Sequence, residues 1–388
     1  MLKPRRASRK RRSGISRDKA GAPLRTHGVV RYAVSNKSFH PIYSRGAAMI
    51  CLTLENSQHR ASLRRARDSA KRWCLAIILA TLPALAGAQD SPSKPIRMIV
   101  GFAPGGGTDI IGRIVGQKLS EALGQPVVVE NRGGAAGQIA AELAAKAAPD
   151  GHTLMMGHIA ALSVLPSLVA KLPYDVGRDF AAISLVATGP NLLVVHPALP
   201  VKTVKDVVAL AKARPGQLQY ASSGAGSIQH LAAELFKLQA GVDILHIPYK
   251  GSGQALIDLV AGQVHMNFDS VPPVINQVRQ GKLRAIAITA SQRSPLLPEI
   301  PTIREGGVAG VEVSTWWGLV APAAMQKDGI ARLHTETTRL LRQNDVKEKF
   351  AGIGAEPVGN SPAEFAAFIR AETAKYAKIV KAANIKLD

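Results

Sequence analysis

A short apolar run that breaks into three glycines and resumes as a helix constrains this 388-residue chain more than any other feature. Ile96, Met98, Ile99, Val100 and Phe102 are nearly continuous, the pattern of a strand covered on both faces. Pro104-Gly105-Gly106-Gly107 ends the strand, and glycine lets the backbone come close to a ligand. Thr108 or Asp109 is expected to cap the next helix, whose Ile111, Val115, Leu119 and Leu123 recur at i+4 and form one buried face. A row of N–H groups at such a helix N-terminus can hold an anion, phosphate or carboxylate. The loop does not name the anion. No lysine follows the glycines as a P-loop requires, and Ile110 stands where the dinucleotide fingerprint needs its third glycine. A tight βα turn without ligand stays open as the plain alternative.

The unit then repeats. Pro126 to Glu130 reads as a strand, 131–137 as a second glycine loop, and the alanine-rich stretch to Ala148 as a helix. Thr153 to Met156 is a third strand, ending at Gly157-His158. Successive βα units predict a parallel sheet with helices on both faces, and ligands collect at the carboxyl ends of such strands. Two apolar runs follow, Ile183–Ala187 and Leu192–His196, and the second is expected to cross into another lobe. There the alternation restarts: helix Val204–Ala213, strand Leu218–Ala221, and the small-residue loop Ser222-Ser223-Gly224-Ala225-Gly226-Ser227 into helix Ile228–Ala240. Strand Ile244–Ile247 leads through Pro248-Tyr249-Lys250-Gly251 to another helix ending at Val260. Strand Val264–Phe268 ends at Asp269, Pro272-Pro273 opens a helix, and Leu283–Ile288 is a further strand. Val311–Trp317 is read as the return crossing, with helices at Gly329–Arg342 and Pro362–Ala382. Two lobes joined by two crossings make a cleft, the place small ligands prefer.

The net charge of +22 points first to nucleic acid, but its distribution argues against that partner. Before residue 73 lie 19 of the 49 basic residues and three of the 27 acids, so the 300 residues from Gln89 onward carry only +6. Arg64, Arg65, Arg67, Lys71 and Arg72 precede a 13-residue apolar stretch, Trp73 to Leu85, too short to span a bilayer, and then Ala86-Gly87-Ala88. This is the pattern of a signal peptide at 64–88, cleaved after Ala88, with residues 1–60 as an upstream surplus. A basic nucleic-acid-binding arm is the alternative for that surplus. Both cysteines, Cys51 and Cys74, precede the cleavage point, so neither disulfide nor thiol chemistry is expected of the mature chain. The product is expected to be periplasmic.

No catalytic set emerges. There is no G-x-S-x-G elbow, no H-E-x-x-H, no other metal spacing and no cofactor motif. Ser227 and His230 share a helix face, but no acid stands out to orient the imidazole. Asp269 is the acid expected to face the cleft. Lys250 can attract an acid or lie solvated, and Tyr249 can bring a polar tip to a ligand. Trp316-Trp317 reads as hinge packing, with one of the two able to face the cleft.

Taken together, several motifs carry a resemblance. They are residues 101–109, Glu130-Asn131-Arg132-Gly133-Gly134-Ala135-Ala136-Gly137, Pro149-Asp150-Gly151-His152-Thr153-Leu154, Leu172-Pro173-Tyr174-Asp175, 220–227 with His230-Leu231, His246-Ile247-Pro248-Tyr249-Lys250-Gly251, and Pro298-Glu299-Ile300-Pro301-Thr302. In order and spacing the set resembles the Bug receptors, the TctC-type extracytoplasmic solute-binding proteins of tripartite tricarboxylate transporters, across about residues 93–386. The resemblance implies an α/β, two-lobed periplasmic-binding-protein-like fold of type II, with each lobe a sheet flanked by helices. Lobe one would be 89–194 plus 315–388 and lobe two 195–314. It implies no reaction and no cofactor. A ligand carboxylate would be held by Phe102, Ala103, Gly105, Gly106, Gly107, Thr108 and Asp109, with His158 in the third loop. The second lobe would contribute Ser222, Ser223, Gly226 and Ser227, with Asp269 at the distal end of the ligand. The implied partners are a small carboxylate (a di- or tricarboxylate, aromatic acid or amino acid) and membrane permease subunits, with the receptor monomeric. A solute-sensing partner of a signalling system and an exported enzyme acting on an organic acid are the competing readings.

Overall fold

The computed structural model describes residues 94–383 and 385. The expected signal peptide, its expected cleavage after Ala88, the basic surplus and both cysteines lie outside the described residues. The first elements are β1 (Ile96–Val100), α1 (Gly107–Leu123), β2 (Val127–Asn131), α2 (Gln138–Ala145) and β3 (Thr153–His158). Next come the short helices α3 (Leu165–Leu168) and α4 (Val176–Asp179), then β4 (Phe180–Val195), α5 (Val204–Ala213), β5 (Gln219–Ser222) and α6 (Ile228–Ala240). The chain continues through β6 (Leu245–Pro248), α7 (Ser252–Val260), β7 (Met266–Ser270), α8 (Val271–Arg279) and β8 (Arg284–Ile288). It ends with β9 (Ser314–Pro322), α9 (Lys327–Leu341), α10 (Asn344–Gly352), β10 (Glu356–Pro357) and α11 (Pro362–Ala382). Among the described residues no helix is long and apolar enough to cross a membrane.

The sheet runs β2-β1-β3-β9-β4-β7-β5-β6, with β8 and β10 also on β4. The expected parallel pairing holds inside the βα units, where β1 lies between β2 and β3 and β5 between β6 and β7. Where the chain passes from one half of the sheet to the other, the pairing is antiparallel instead. The 16-residue strand β4 pairs with β9 along Phe180–Pro190 and with β7 and β8 along Asn191–Val195. The two apolar runs expected there are therefore one strand shared by both halves. Asn191, fully buried at the changeover, accepts from Thr315 Oγ1 at 2.7 Å and donates to the Phe268 carbonyl at 2.9 Å.

β9 is buried along almost its whole length, and its side chains alternate between faces as a strand requires. Trp316 packs edge-on against Phe365 and Phe368 of α11. Trp317 points the other way, into the core that holds Ile111, Val115 and Leu119 of α1. Both tryptophans are packed in the core, and Trp317 additionally reaches the first glycine loop.

The start of α1 differs from expectation. Gly106, not Thr108 or Asp109, occupies the cap position, and no side chain caps the helix. The reason is that both side chains are committed elsewhere. Asp109 lies inside the first turn and reaches back to accept from the Gly105 N–H at 3.0 Å. The Thr108 hydroxyl accepts from Trp317 Nε1 at 3.2 Å.

Candidate functional site

The carboxyl ends of β1, β3, β5 and β7 and the loop after β6 converge on a narrow cavity of about 10 Å³ between the two halves of the sheet. The first half contributes Phe102, Gly106, Gly107, Thr108 and His158, and the second contributes Ser223, Gln229, Ser252 and Ser270. None of these nine residues carries a charge at neutral pH. An anion placed here would meet backbone and neutral donors, not a lysine or arginine.

The first wall is the N-terminus of α1. The opening N–H groups of a helix have no intrahelical acceptor, and the aligned peptide dipoles make this end equivalent to roughly half a positive charge. The glycine at 107 is required by contact: a Cβ there would lie 2.7 Å from Ser270 Oγ and 3.0 Å from Trp317 Cζ2. Asp109 fastens the loop from behind. It accepts from Gly105 N–H, from Asn131 Nδ2 at 2.9 Å and from Arg113 Nε at 3.0 Å. Burial pushes this carboxyl up, but those hydrogen bonds outweigh it and hold the group below its usual range. Asn131 also donates to the Phe102 carbonyl at 3.0 Å, so β2 braces the turn.

His158 ends β3, where it faces Phe102 edge-on at 4.9 Å. Burial pushes its imidazole down to about 3, so the ring is neutral at physiological pH. Nδ1 accepts from the Ala160 N–H at 3.2 Å, which places the proton on Nε2.

The second wall is organised by Asp269, which is fully buried one layer behind the cavity surface. Its carboxylate accepts from Gln229 Nε2 at 3.0 Å, from Ser252 Oγ, and from Asn267 Nδ2 at 3.2 Å. Burial pushes this carboxyl up to about 6, against the hydrogen bonds that favour its charged form. Gln229 completes the wall by accepting from Ser223 Oγ at 2.7 Å.

Six of the residues expected from the sequence line the cavity: Phe102, Gly106, Gly107, Thr108, His158 and Ser223. Asp269 stands behind it. The others serve the loops. Gly105 and Asp109 close the first turn. Ala103 N–H donates across the cleft to the Lys250 carbonyl at 3.3 Å, which uses the backbone of Lys250 and leaves its side chain exposed. Ser222 pairs with His246 Nε2 at 2.7 Å and accepts from the Gly224 N–H at 3.1 Å. Ser227 is the N-cap of α6, and the Gly226 N–H donates to His230 Nδ1 at 3.2 Å. Tyr249 donates its hydroxyl to Asp258 at 2.7 Å instead of to the cavity.

Gln229, Ser252 and Ser270 were not anticipated. A signal existed for two of them: Ser252 opens a helix after a strand and a glycine, and Ser270 closes a strand, the same positions that pointed to the first loop. Among the described residues no cluster of His, Cys, Asp or Glu could hold a metal ion.

The tripartite tricarboxylate transporter family receptor model matches residues 111–385. Protein BugT of Bordetella pertussis is 39% identical over 312 residues, which cover 80% of this chain and 96% of that protein. The solved structure of a periplasmic transporter is 41% identical with a TM-score of 0.74, covering 77% of this chain and 100% of that one. Rpa4515 of R. palustris, solved with adipate, is 37% identical with a TM-score of 0.74, covering 76% of this chain and 99% of that one. This chain belongs to the TctC family of tripartite tricarboxylate transporter receptors, solute-binding proteins and not enzymes.

Proposed function

We propose that the chain is an extracytoplasmic receptor that holds the carboxylate of a small organic acid at the N-terminus of α1. The observation that carries this reading is a cavity without a charged lining residue, one wall of which is the donor end of a helix. The adipate in Rpa4515 supports it, since that relative binds a small acid. Residues 89–194 with 315–388 form one lobe and 195–314 the other, and they close on the ligand by bending where β4 changes partners and at the return connection just before β9. The receptor works in the periplasm as a monomer, and its closed form docks on the permease subunits of a tripartite transporter.

Thermal denaturation of the purified protein against small carboxylates, amino acids, sugars and nucleotides tests this. A ligand at ~100 Kd adds about 2.7 kcal/mol to the folded state. One carboxylate is expected to raise Tm, and Gly107→Val, which fills the space before Ser270, is expected to remove the rise. A rise with nucleotides or sugars alone would refute the reading.

A further inference from the structure

We propose that a proton taken up by His230, from a groove on the far side of the serine loop, unlocks that loop and weakens the hold on the acid. The proposal rests on the carboxylate reading of the site given above.

Residues 222–227 form a wall with two faces. Ser223 lines the ligand cavity, while Ala225 lines an open groove behind it. That groove, about 730 Å³ in volume, is also lined by His230, Glu234, Lys237 and His246. Three N–H groups hold the loop in shape. Gly224 N–H donates to Ser222 Oγ at 3.1 Å and Ser227 N–H to the Gly224 carbonyl at 3.0 Å. Neither acceptor titrates. The third donor, Gly226 N–H, meets a ring nitrogen instead, His230 Nδ1 at 3.2 Å.

That bond sets the protonation state. Nδ1 must present a lone pair, so His230 is neutral while the loop is locked. An imidazolium carries N–H at both nitrogens and accepts nothing. Charging His230 would set N–H against N–H, and Gly226 must turn away. Protons therefore bind the unlocked loop more tightly than the locked one, and acid favours the unlocked loop by linkage. Ser223 lies in the same loop, so unlocking draws it from the Gln229 oxygen at 2.7 Å and the second wall of the cavity loses its shape. His158 makes the same kind of bond to Ala160 N–H, but that donor sits in a turn buried throughout and has no room to yield. Gly226 is a glycine at φ 80°, free to turn either way.

The groups facing His230 set the balance. Glu234, one turn along α6, is an anion that favours the imidazolium, and Lys237 offsets part of this by pairing with it at 2.8 Å. His246 of β6 stacks on His230 at 4.4 Å. Tyr220 of β5 stacks on His246 at 4.8 Å and gives its hydroxyl to Glu234 at 2.7 Å. Asp243, just before β6, lines the groove. A proton on His246 leaves the loop undisturbed, because its partner Ser222 Oγ, at 2.7 Å, accepts from an imidazolium as well as it donates to a neutral ring. The lock is His230, not its stacked neighbour.

Two measurements on the purified protein read this out. Hydrogen exchange of the peptide 222–231, corrected for the intrinsic effect of pH, follows the lock with no ligand present. One linked proton changes an equilibrium up to about tenfold per pH unit, so wild-type protection is expected to fall at least about tenfold from pH 8 to pH 5. His230→Asn puts an amide oxygen in the place of Nδ1 and takes up no proton, so its protection should stay level. Calorimetry with adipate, succinate and benzoate over the same range gives affinity against pH, and comparison with His230→Asn removes the share of Asp269 and other titrating groups. The wild type should lose at least about tenfold more affinity than this variant on acidification. His246→Gln should keep the wild-type slope. Wild-type exchange that does not change with pH would overturn the proposal and leave the receptor reading intact. So would affinity slopes that run parallel in wild type and His230→Asn. Binding of none of the three acids at any pH would overturn both.

Discussion

Two buried titratable side chains in the site, His158 and Asp269, respond to pH in opposite directions. His158 is held down to about 3 by burial, against 6.5 for the free side chain. Between those values the unfolded chain takes up a proton that the folded chain refuses. Its contribution is therefore present above 6.5 and lost as pH falls towards 3. Asp269 is pushed up to about 6 by burial, against 3.8. Its contribution is present below 3.8 and lost as pH rises through 6. Urea melts of wild-type, His158→Gln and Asp269→Asn proteins separate the two. From pH 8 to pH 5 the wild type should lose about 2 kcal/mol relative to His158→Gln, which has no imidazole to keep neutral. Over the same range it should gain relative to Asp269→Asn. Curves that run parallel would mean that neither group is sequestered as described. Neither shift was readable from the sequence. A histidine after Gly157 and an aspartate after Phe268 look alike in exposure until the second half of the sheet closes over them.

At the scale of elements, the sequence was most legible where a helix carries its own start and stop. α6 and α11 fall at the residues expected, because Ser227 and Gly241 bracket the first and Ser361-Pro362 opens the second. The start of α1 was not legible, because the groups that hold its loop, Asn131 and Trp317, come from other elements. α10 escaped notice because only Val346 and Phe350 are buried in it, too short a stripe to betray a period. For the site, the glycine loop was legible, while Gln229 was not: mid-helix glutamines are ordinary, and only Asp269 from a distant strand gives this one a direction. Tyr249 and Lys250 stood out for their chemistry, but the turn aims the tyrosine at Asp258 and leaves the lysine exposed. The capping box of α11, in which Ser361 and Glu364 satisfy each other's backbone N–H, is a purely structural device and gives a control. Ser361→Ala should cost about 1 kcal/mol in a urea melt. Because α11 contributes no residue to the cavity, ligand affinity should be unchanged; a loss of affinity would tie this helix to the site.

At the scale of the whole molecule, the two halves meet loop against loop. Ala103 N–H reaches the Lys250 carbonyl, and a Cβ on Gly253 would lie 2.0 Å from the Pro104 carbonyl oxygen. The obstacle is backbone, so no side chain can swing aside. Residues 104 and 253 lie on opposite sides of the β4 changeover; one cluster packs around Ile111 and Trp317 in the first half and another around Leu259 and Ile275 in the second, while a third, with Ile99 and Phe268, runs through both. Gly253→Ala obstructs this loop contact between the halves and touches none of the three clusters. If the halves move about β4 and β9, the variant keeps its unliganded Tm and loses closure. An overpacking cost of about 2 kcal/mol falling on the closed form alone weakens apparent ligand affinity about 30-fold, since only the closed fraction holds the acid. Small-angle scattering should then show wild-type protein contracting when the acid is added and the variant failing to contract at the same concentration. A rigid molecule gives a different pair of results: Gly253→Ala would lower the unliganded Tm by the full overpacking cost, and scattering of the wild type would not change with ligand. The two measurements decide between a hinge and a fixed cleft, because the same added methyl group is charged to closure in one case and to folding in the other.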